Sequence, residues 1–174
     1  MVERTYFVNG IPALYEALKK AGREKEAKEL VKKFLSESFS SDLERKVERF
    51  LRLPKGIFPA DIPYFRLFWE LNQIFISGLY YFTVVAAGVL CERMCHDILD
   101  KHSVVPREKA RLHDLITLLS ENHLIKNDSE VEMIKIRKKR NAYVHPRKRK
   151  KDVEKDALEM IERTARILKN EFQV

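Results

Sequence analysis

Apolar residues recur every three to four positions along most of the chain, which is the spacing of one face of an α-helix. In the N-terminal part, two such stripes flank Gly22, and a third follows the pair Ser41 and Glu44, which has the spacing of a capping box. No stretch alternates apolar and polar residues as a half-buried strand would. The pattern predicts a small helical N-terminal segment over residues 1–55.

Residues 54–63 contain three prolines and one glycine, and they are the best candidate for a boundary. Five helices are predicted beyond it. The first begins at Phe65 and has a kink or break at Ser77-Gly78, and the second ends near Lys101. The third has Pro106 in its first turn, the fourth is capped by Asn127 or Asp128 and runs to His145, and the fifth is capped by Asp152. With only five Gly and six Pro in 174 residues, a turn-rich β fold is disfavoured. The predicted fold class is all-α, an up-and-down helical bundle over residues 62–174.

Residues 71–91 carry no charged side chain and have the length of a membrane-spanning helix. Polar residues such as Asn72, Gln73 and Thr83 interrupt the run, and no Lys/Arg cluster flanks it. A helix that is apolar all round is also typical of the centre of a water-soluble bundle. Because the N-terminus also lacks a signal-peptide pattern, we expect a cytoplasmic protein without membrane contact.

Cys91 and Cys95 lie one turn apart on a predicted helix, and His96 is turned about 100° from Cys95. These three side chains therefore do not converge on a metal ion, and the two thiols are predicted to be buried as small apolar groups. Three other histidines lack metal-ligand spacing and are predicted at the surface or at helix ends: His102, His113 and His123.

The net charge of +8 is concentrated in one segment, residues 135–151, which holds ten Lys/Arg and no acidic residue. The rest of the chain therefore carries a small net negative charge. A basic segment of this kind suits nucleic acid or another polyanion as a partner. A solvated charged face or tail is the alternative interpretation.

On a helix over residues 130–145, three side chains share one side and are predicted to face outward: Lys135, Lys138 and Lys139. Arg140, Asn141 and His145 are predicted to point towards the packed side. Arg140 can hold a phosphate through two parallel hydrogen bonds, and the imidazole of His145 can accept or donate a proton. Alternatively, Arg140 pairs with an acid on a neighbouring helix, and His145 merely ends its own helix.

The segment IRKKRNAYVHP resembles the Arg-Asn-x-x-x-His motif of HEPN (higher eukaryotes and prokaryotes nucleotide-binding) domains. The resemblance continues through VVAAGVLCERMCHDIL and LHDLITLLSENHLI, covers about residues 62–170, and points to a branch of unknown function. Glu92 matches the second position of a Leu-Glu-like pair in that branch, whereas Cys91 departs from the first. The resemblance implies a helical bundle that forms a homodimer and brings two Arg/His sets together.

Catalytic HEPN members are metal-independent endoribonucleases, many of them toxins or antiviral effectors. By resemblance, His145 would assist attack of a ribose 2′-hydroxyl on the adjacent phosphate, Arg140 would hold that phosphate, and Asn141 would orient the reacting groups. Glu92 would either support the site or pair ionically with Arg140. The resemblance implies RNA as substrate, no metal and no cofactor, and a nucleotidyltransferase-type antitoxin as a possible partner.

Basic residues around the motif fit an RNA-binding surface that contacts the backbone: Lys135, Lys138, Lys139, Arg147, Lys148, Arg149, Lys150 and Lys151. Tyr143 either stacks on a base or belongs to the core. Three functions stay open on the sequence: a HEPN-type ribonuclease, a non-catalytic HEPN module that binds nucleic acid, nucleotide or a protein, and a structural helical protein whose basic segment is only solvated.

Overall fold

The computed structural model describes residues 15–40, 42–55, 64–145 and 151–172, and every regular element in these ranges is an α-helix. Residues 15–20 are helical, and seven further helices follow: α1 (Glu24–Ser40), α2 (Leu43–Leu51), α3 (Phe65–Ile76), α4 (Tyr80–Lys101), α5 (Leu112–Glu121), α6 (Asn127–Val144) and α7 (Val153–Glu171). The predicted all-α fold class is confirmed.

The chain divides into two compact units, Met1–Arg45 and Lys46–Val174. In the first unit, Gly22 has a positive φ of 73° and separates the helical residues 15–20 from α1. The division falls within α2, upstream of the predicted boundary segment. Most of that segment, and Ser41 of the predicted capping box, lie outside the described residues.

In the second unit, α4 is the central helix and contacts α3, α5, α6 and α7. Successive helices from α3 to α7 also pack against one another, as in an up-and-down bundle. Ala87, Cys91, Met94 and Leu99 of α4 are fully buried. The central position explains why so much of this helix is apolar, since neighbours cover it on several sides.

The long uncharged run is divided between α3 and α4 by the predicted break at Gly78. This residue has a φ of 76°, and its N–H donates to the Phe75 carbonyl at 2.8 Å, as in a Schellman motif. The Arg49 guanidinium donates to the Ile76 carbonyl at 2.9 Å and so satisfies another end group of α3. Among the described residues, no helix combines the length and apolar character that crossing a membrane requires.

Helix α5 begins at Leu112, so the prediction that Pro106 lies in its first turn is wrong. The Asp114 carboxylate accepts a hydrogen bond from the Arg111 N–H at 2.9 Å, and this contact sets the beginning of the helix. The predicted apolar stripe of α5 is buried as expected: Leu112, Leu115, Ile116 and Leu119.

Helix α6 begins at Asn127 with Lys126 as its cap, so the predicted capping by Asn127 or Asp128 is also wrong. The Lys126 N–H donates to a carboxylate oxygen of Glu171 in α7 at 3.0 Å, a contact between helices that local sequence does not reveal. The predicted end of α6 at His145 is confirmed. Asp152 directly precedes α7, as predicted.

Buried ionic contacts hold α6 against α7. Glu132 accepts hydrogen bonds from Arg163 at 2.6 Å and Arg166 at 2.9 Å, and the Glu132 and Arg163 side chains are only 12% and 13% exposed. Burial acts to raise the pKa of Glu132, but the hydrogen bonds from these arginines outweigh it and lower that pKa. Helix α6, which carries the motif, is therefore held against α7 at Glu132 by two arginines of α7.

Candidate functional site

An open cleft of about 1280 Å³ lies in the second unit beside the C-terminal half of α6. It is walled by Glu92 of α4, by residues 110–114 at the beginning of α5, and by one side of α6 through Arg137, Arg140, Asn141, Ala142 and His145. The fold thus brings the three motif residues Arg140, Asn141 and His145 into one cleft with Glu92, the residue that the wider resemblance singled out.

Gly88 of α4 allows the Arg140 side chain to pass close to the α4 backbone. A Cβ atom at position 88 would lie 2.5 Å from the Arg140 Cγ and 3.0 Å from its Cβ, which is closer than atoms approach without displacement. The absence of a side chain at Gly88 is therefore a condition for the observed path of Arg140 into the cleft.

The Arg140 guanidinium is only weakly engaged by the protein. Its Nη2 lies 3.8 Å from the Glu92 Oε2, beyond hydrogen-bond distance, and the two side chains are 29% and 33% exposed. The Arg140 Nε is buried and has no hydrogen-bond partner among the described residues. The ion pair offered as an alternative role for Arg140 exists only as this long contact, which leaves guanidinium donors for a ligand.

Asn141 and His145 lie at the open end of the cleft, where α6 ends. The His145 N–H donates to the Asn141 carbonyl at 3.0 Å, while both side chains are exposed. The prediction that they point towards the packed side is wrong, because the cleft leaves this flank of α6 uncovered. Within the described ranges, no hydrogen bond joins the side chains of Arg140, Asn141 and His145, so the imidazole and amide are accessible to a ligand.

Three basic cleft residues were not found from the sequence: Arg111, His113 and Arg137. Arg137 precedes Arg140 by three positions and so lies on the same side of α6, a relation that helical spacing reveals. Arg111 and His113 reach the cleft only because α5 packs against α6. Gly88 was also missed, although a glycine within an apolar helix is a signal of close packing.

The outward lysine surface is smaller than predicted. Lys135 and Lys138 are exposed, as expected, but Lys139 bonds to Asp156 at 2.6 Å and lies 3.1 Å from a carboxylate oxygen of Glu159. Burial acts to lower the pKa of Lys139, yet its bonds to these carboxylates outweigh burial and raise it. The outward orientation predicted for Lys139 is wrong because α7 lies along that side of the helix. Lys151 is exposed, and Arg147, Lys148, Arg149 and Lys150 lie outside the described residues.

Tyr143 is fully buried, which excludes the predicted stacking on a base and confirms the alternative assignment to the core. Its hydroxyl donates to Asp156 at 2.7 Å, and its ring centroid lies 5.6 Å from that of Tyr81. Burial and the Asp156 carboxylate raise the pKa of Tyr143. The residue anchors the last turn of α6 rather than contacting a ligand.

Cys91 and Cys95 are fully buried, as predicted. The Cys95 Sγ lies 3.9 Å from the Met133 Sδ, and the neighbouring Cys95 thiol together with burial raises the pKa of Cys91 well above its usual range. His102 and His123 lie at helix ends and are exposed, again as predicted, whereas the exposed His113 contributes to the cleft.

Comparison of the chain with protein-family models, curated proteins and solved structures finds no match. The fold and the site define a class in structural terms, namely a helical-bundle protein with an open cleft lined by arginine and histidine. The resemblance to HEPN domains rests on the motif and on the helical pattern before it, and membership of that family stays a prediction.

Proposed function

We propose that this protein is a HEPN-type, metal-independent endoribonuclease that cleaves RNA through Arg140, Asn141 and His145. One observation carries the proposal: a guanidinium with a buried, unpartnered Nε and an exposed imidazole line the same open cleft. Arginine is suited to hold a phosphate, and histidine is suited to transfer a proton near neutral pH. These are the two requirements for cleavage by the neighbouring ribose hydroxyl.

In the proposed reaction, His145 accepts the proton of a ribose 2′-hydroxyl as its oxygen attacks the adjacent phosphorus. The bond from phosphorus to the 5′-oxygen breaks, and the departing oxygen takes up a proton from solvent water. The products are a 2′,3′-cyclic phosphate and a 5′-hydroxyl end. Arg140 donates to the non-bridging oxygens and stabilises their increasing negative charge. Asn141 orients the ribose or the imidazole, and Glu92 keeps Arg140 directed along the cleft.

The charge distribution supports RNA as the substrate class. Lys135, Lys138 and Lys151 are exposed, and residues 147–150 add four further basic side chains. Such residues attract a phosphate backbone without reading its sequence. A non-catalytic module that binds nucleic acid would share this surface, so cleavage decides between the two functions.

We further propose that the active form is a homodimer, as the family resemblance implies. Phe82 and Val89 on α4 are 62% and 55% exposed, and Val89 directly follows the glycine that contacts Arg140. A second copy packed on this part of α4 around a two-fold axis would bring two clefts together. The toxin or defence role, with a nucleotidyltransferase-type antitoxin as partner, belongs to the same proposal.

The direct experiment incubates the full chain with mixed cellular RNA in EDTA and follows cleavage over time. Wild type is expected to cleave, and His145→Ala and Arg140→Ala are expected to lose cleavage. His102→Ala and Arg93→Ala are matched controls, because both residues are exposed and neither lines the cleft. The controls should cleave as wild type does.

Two results would overturn the enzyme proposal. Binding of RNA by every variant with cleavage by none would support a non-catalytic module instead. Cleavage that survives in both His145→Ala and Arg140→Ala would place the activity elsewhere or in a contaminant.

A further inference from the structure

We propose that Arg137 and Arg111 form a second phosphate subsite in the cleft, so that the protein binds two successive phosphates of one strand. The inference rests on the proposed function in taking an RNA strand as the ligand. It assigns a role to two arginines outside the Arg-Asn-x-x-x-His motif.

Arg137 has the same unusual environment as Arg140. It is partly buried, lines the cleft, and its Nε is buried without a hydrogen-bond partner among the described residues. It also forms no ion pair with any described residue. Leaving a partly buried guanidinium unpartnered is unfavourable. Within the part of the chain that the structure describes, Arg137 and Arg140 share a buried Nε without a hydrogen-bond partner, and the one carboxylate near either guanidinium is that of Glu92, 3.8 Å from Arg140. Two arginines of this kind one turn apart favour an anion in the cleft.

The spacing of the two arginines suits successive phosphates. Side chains three positions apart on a helix are neighbours, with about 5–6 Å between their Cβ atoms. Long guanidinium side chains can adjust this separation to that of adjacent phosphates along a single strand. Arg140 would hold the reacting phosphate, and Arg137 would hold the next one.

Arg111 lines the same cleft from the beginning of α5. It is exposed and forms no ion pair with a described residue, while its backbone N–H is bound by the Asp114 carboxylate. The cleft thus contains three arginines against two carboxylates, those of Glu92 and Asp114. This excess of positive charge favours a ligand with more than one negative charge.

The test measures binding of a short fluorescent 2′-O-methyl oligonucleotide, which lacks the attacking hydroxyl and cannot be cleaved. Arg137→Gln is expected to weaken binding by about tenfold, because charge-assisted hydrogen bonds to phosphate are lost. The log–log dependence of affinity on salt should become shallower by about 0.7, the value for one phosphate contact on a single strand. Arg137→Lys should keep the slope, and Arg93→Gln should leave both affinity and slope unchanged.

A second measurement locates the contact on the ligand. Single neutral methylphosphonate linkages are placed at each position of the oligonucleotide in turn. At one position, wild type should lose about tenfold in affinity while Arg137→Gln loses nothing further. Equal losses in wild type and Arg137→Gln at every position would overturn the proposal, as would unchanged affinity in a folded Arg137→Gln variant.

The result of these binding measurements does not depend on whether the protein cleaves RNA. Because the probe is not cleaved, a second subsite can be present in a protein that proves to be non-catalytic, and it can be absent from an active ribonuclease. If Arg137→Gln fails to fold in a thermal melt, Arg111→Gln replaces it in both measurements. At one linkage, wild type is then expected to lose about tenfold in affinity while Arg111→Gln loses nothing further. Equal affinity losses in wild type and Arg111→Gln at every linkage would reject the subsite.

Discussion

Gly88 and Arg140 show how a single missing side chain places a charged group. The stem of Arg140 occupies the space that a Cβ atom at position 88 would need, and its guanidinium then reaches the cleft with a buried Nε. Arg140 was identified from the sequence by its motif, but Gly88 was not, because their contact joins residues on two different helices.

With Arg140 in its proposed role, Gly88→Ala is expected to lower RNA cleavage by roughly tenfold or more, because misplacement of a positioned group by about 1 Å can cost about 100-fold in rate. Overpacking should also lower the free energy of unfolding by about 1–3 kcal/mol. Cleavage rates and urea unfolding of the same preparations measure the two effects.

Gly78→Ala is the matched control. It introduces the same methyl group at a positive φ of 76°, and it should lower stability by about 1 kcal/mol without reaching Arg140. Its cleavage per folded molecule should equal that of wild type. Equal cleavage by Gly88→Ala and wild type would show that the path of Arg140 across Gly88 has no functional consequence.

The contacts between charged residues of α6 and α7 could not be predicted from the sequence. Helical spacing was sufficient to divide α6 into faces, but an isolated helix does not reveal that α7 covers Lys139. The positions of Arg111 and His113 in the cleft could not be predicted either, because they depend on how α5 packs on α6. Periodicity is local information, whereas the cleft is built from contacts distant in sequence.

At the scale of elements, Glu132→Gln is expected to destabilise the bundle by about 1–3 kcal/mol at neutral pH, since Arg163 then keeps only Glu159 as a charged partner and Arg166 loses its carboxylate. The folded-state pKa of Glu132 is lowered. Its stabilising contribution is therefore complete above the unfolded pKa of roughly 4.3 and is lost as pH falls through the lower folded value.

Urea unfolding at neutral and acidic pH measures this contribution. The difference between wild type and Glu132→Gln should shrink as the medium becomes acidic. Glu121→Gln, at an exposed position without an ion pair among the described residues, should change stability little at any pH. A Glu132→Gln difference that stays constant across the acidic range would contradict the role of this carboxylate.

The end of α5 gives a second prediction at this scale. His123 has a positive φ of 54°, a left-handed conformation that is unfavourable for residues with a side chain. His123→Gly is therefore expected to raise the free energy of unfolding by roughly 0.5–1 kcal/mol. His102 also follows a helix but has a φ of −98°, so His102→Gly should give no increase in the same urea titration. Similar changes in both variants would contradict the conformational argument.

At the scale of the molecule, the helical fold was predictable because apolar residues recur at helical spacing along most of the chain. The beginning of α6 was not, since a contact of Lys126 with Glu171 on another helix determines it. The beginning of α5 was missed for a local reason: Arg111 stands where the usual capping box has Ser or Thr, although Asp114 bonds to its N–H. The break at Gly78 was predictable from a Ser-Gly pair within an apolar run. Burial of Cys91 and Cys95 followed from the same central helix.

Phe82→Glu tests the proposed dimer. A charge on this exposed apolar surface should prevent association, and sedimentation should change from twice the chain mass of 20.6 kDa to that mass. Thermal stability of the monomer should change little, because the side chain is exposed. A wild type that sediments as a monomer while it cleaves RNA would contradict the need for a second copy.

We propose that the cleft containing Arg140 and His145 cleaves RNA through the ribose 2′-hydroxyl. The most direct measurement compares one oligonucleotide in two forms, all-ribose and with a single 2′-deoxy nucleotide at the mapped cleavage position, with wild type and His145→Ala in EDTA. We predict that only wild type on the all-ribose form yields product at this position, with a 2′,3′-cyclic phosphate end. Equal cleavage of the deoxy form, or cleavage by His145→Ala at the wild-type rate, would contradict the claim.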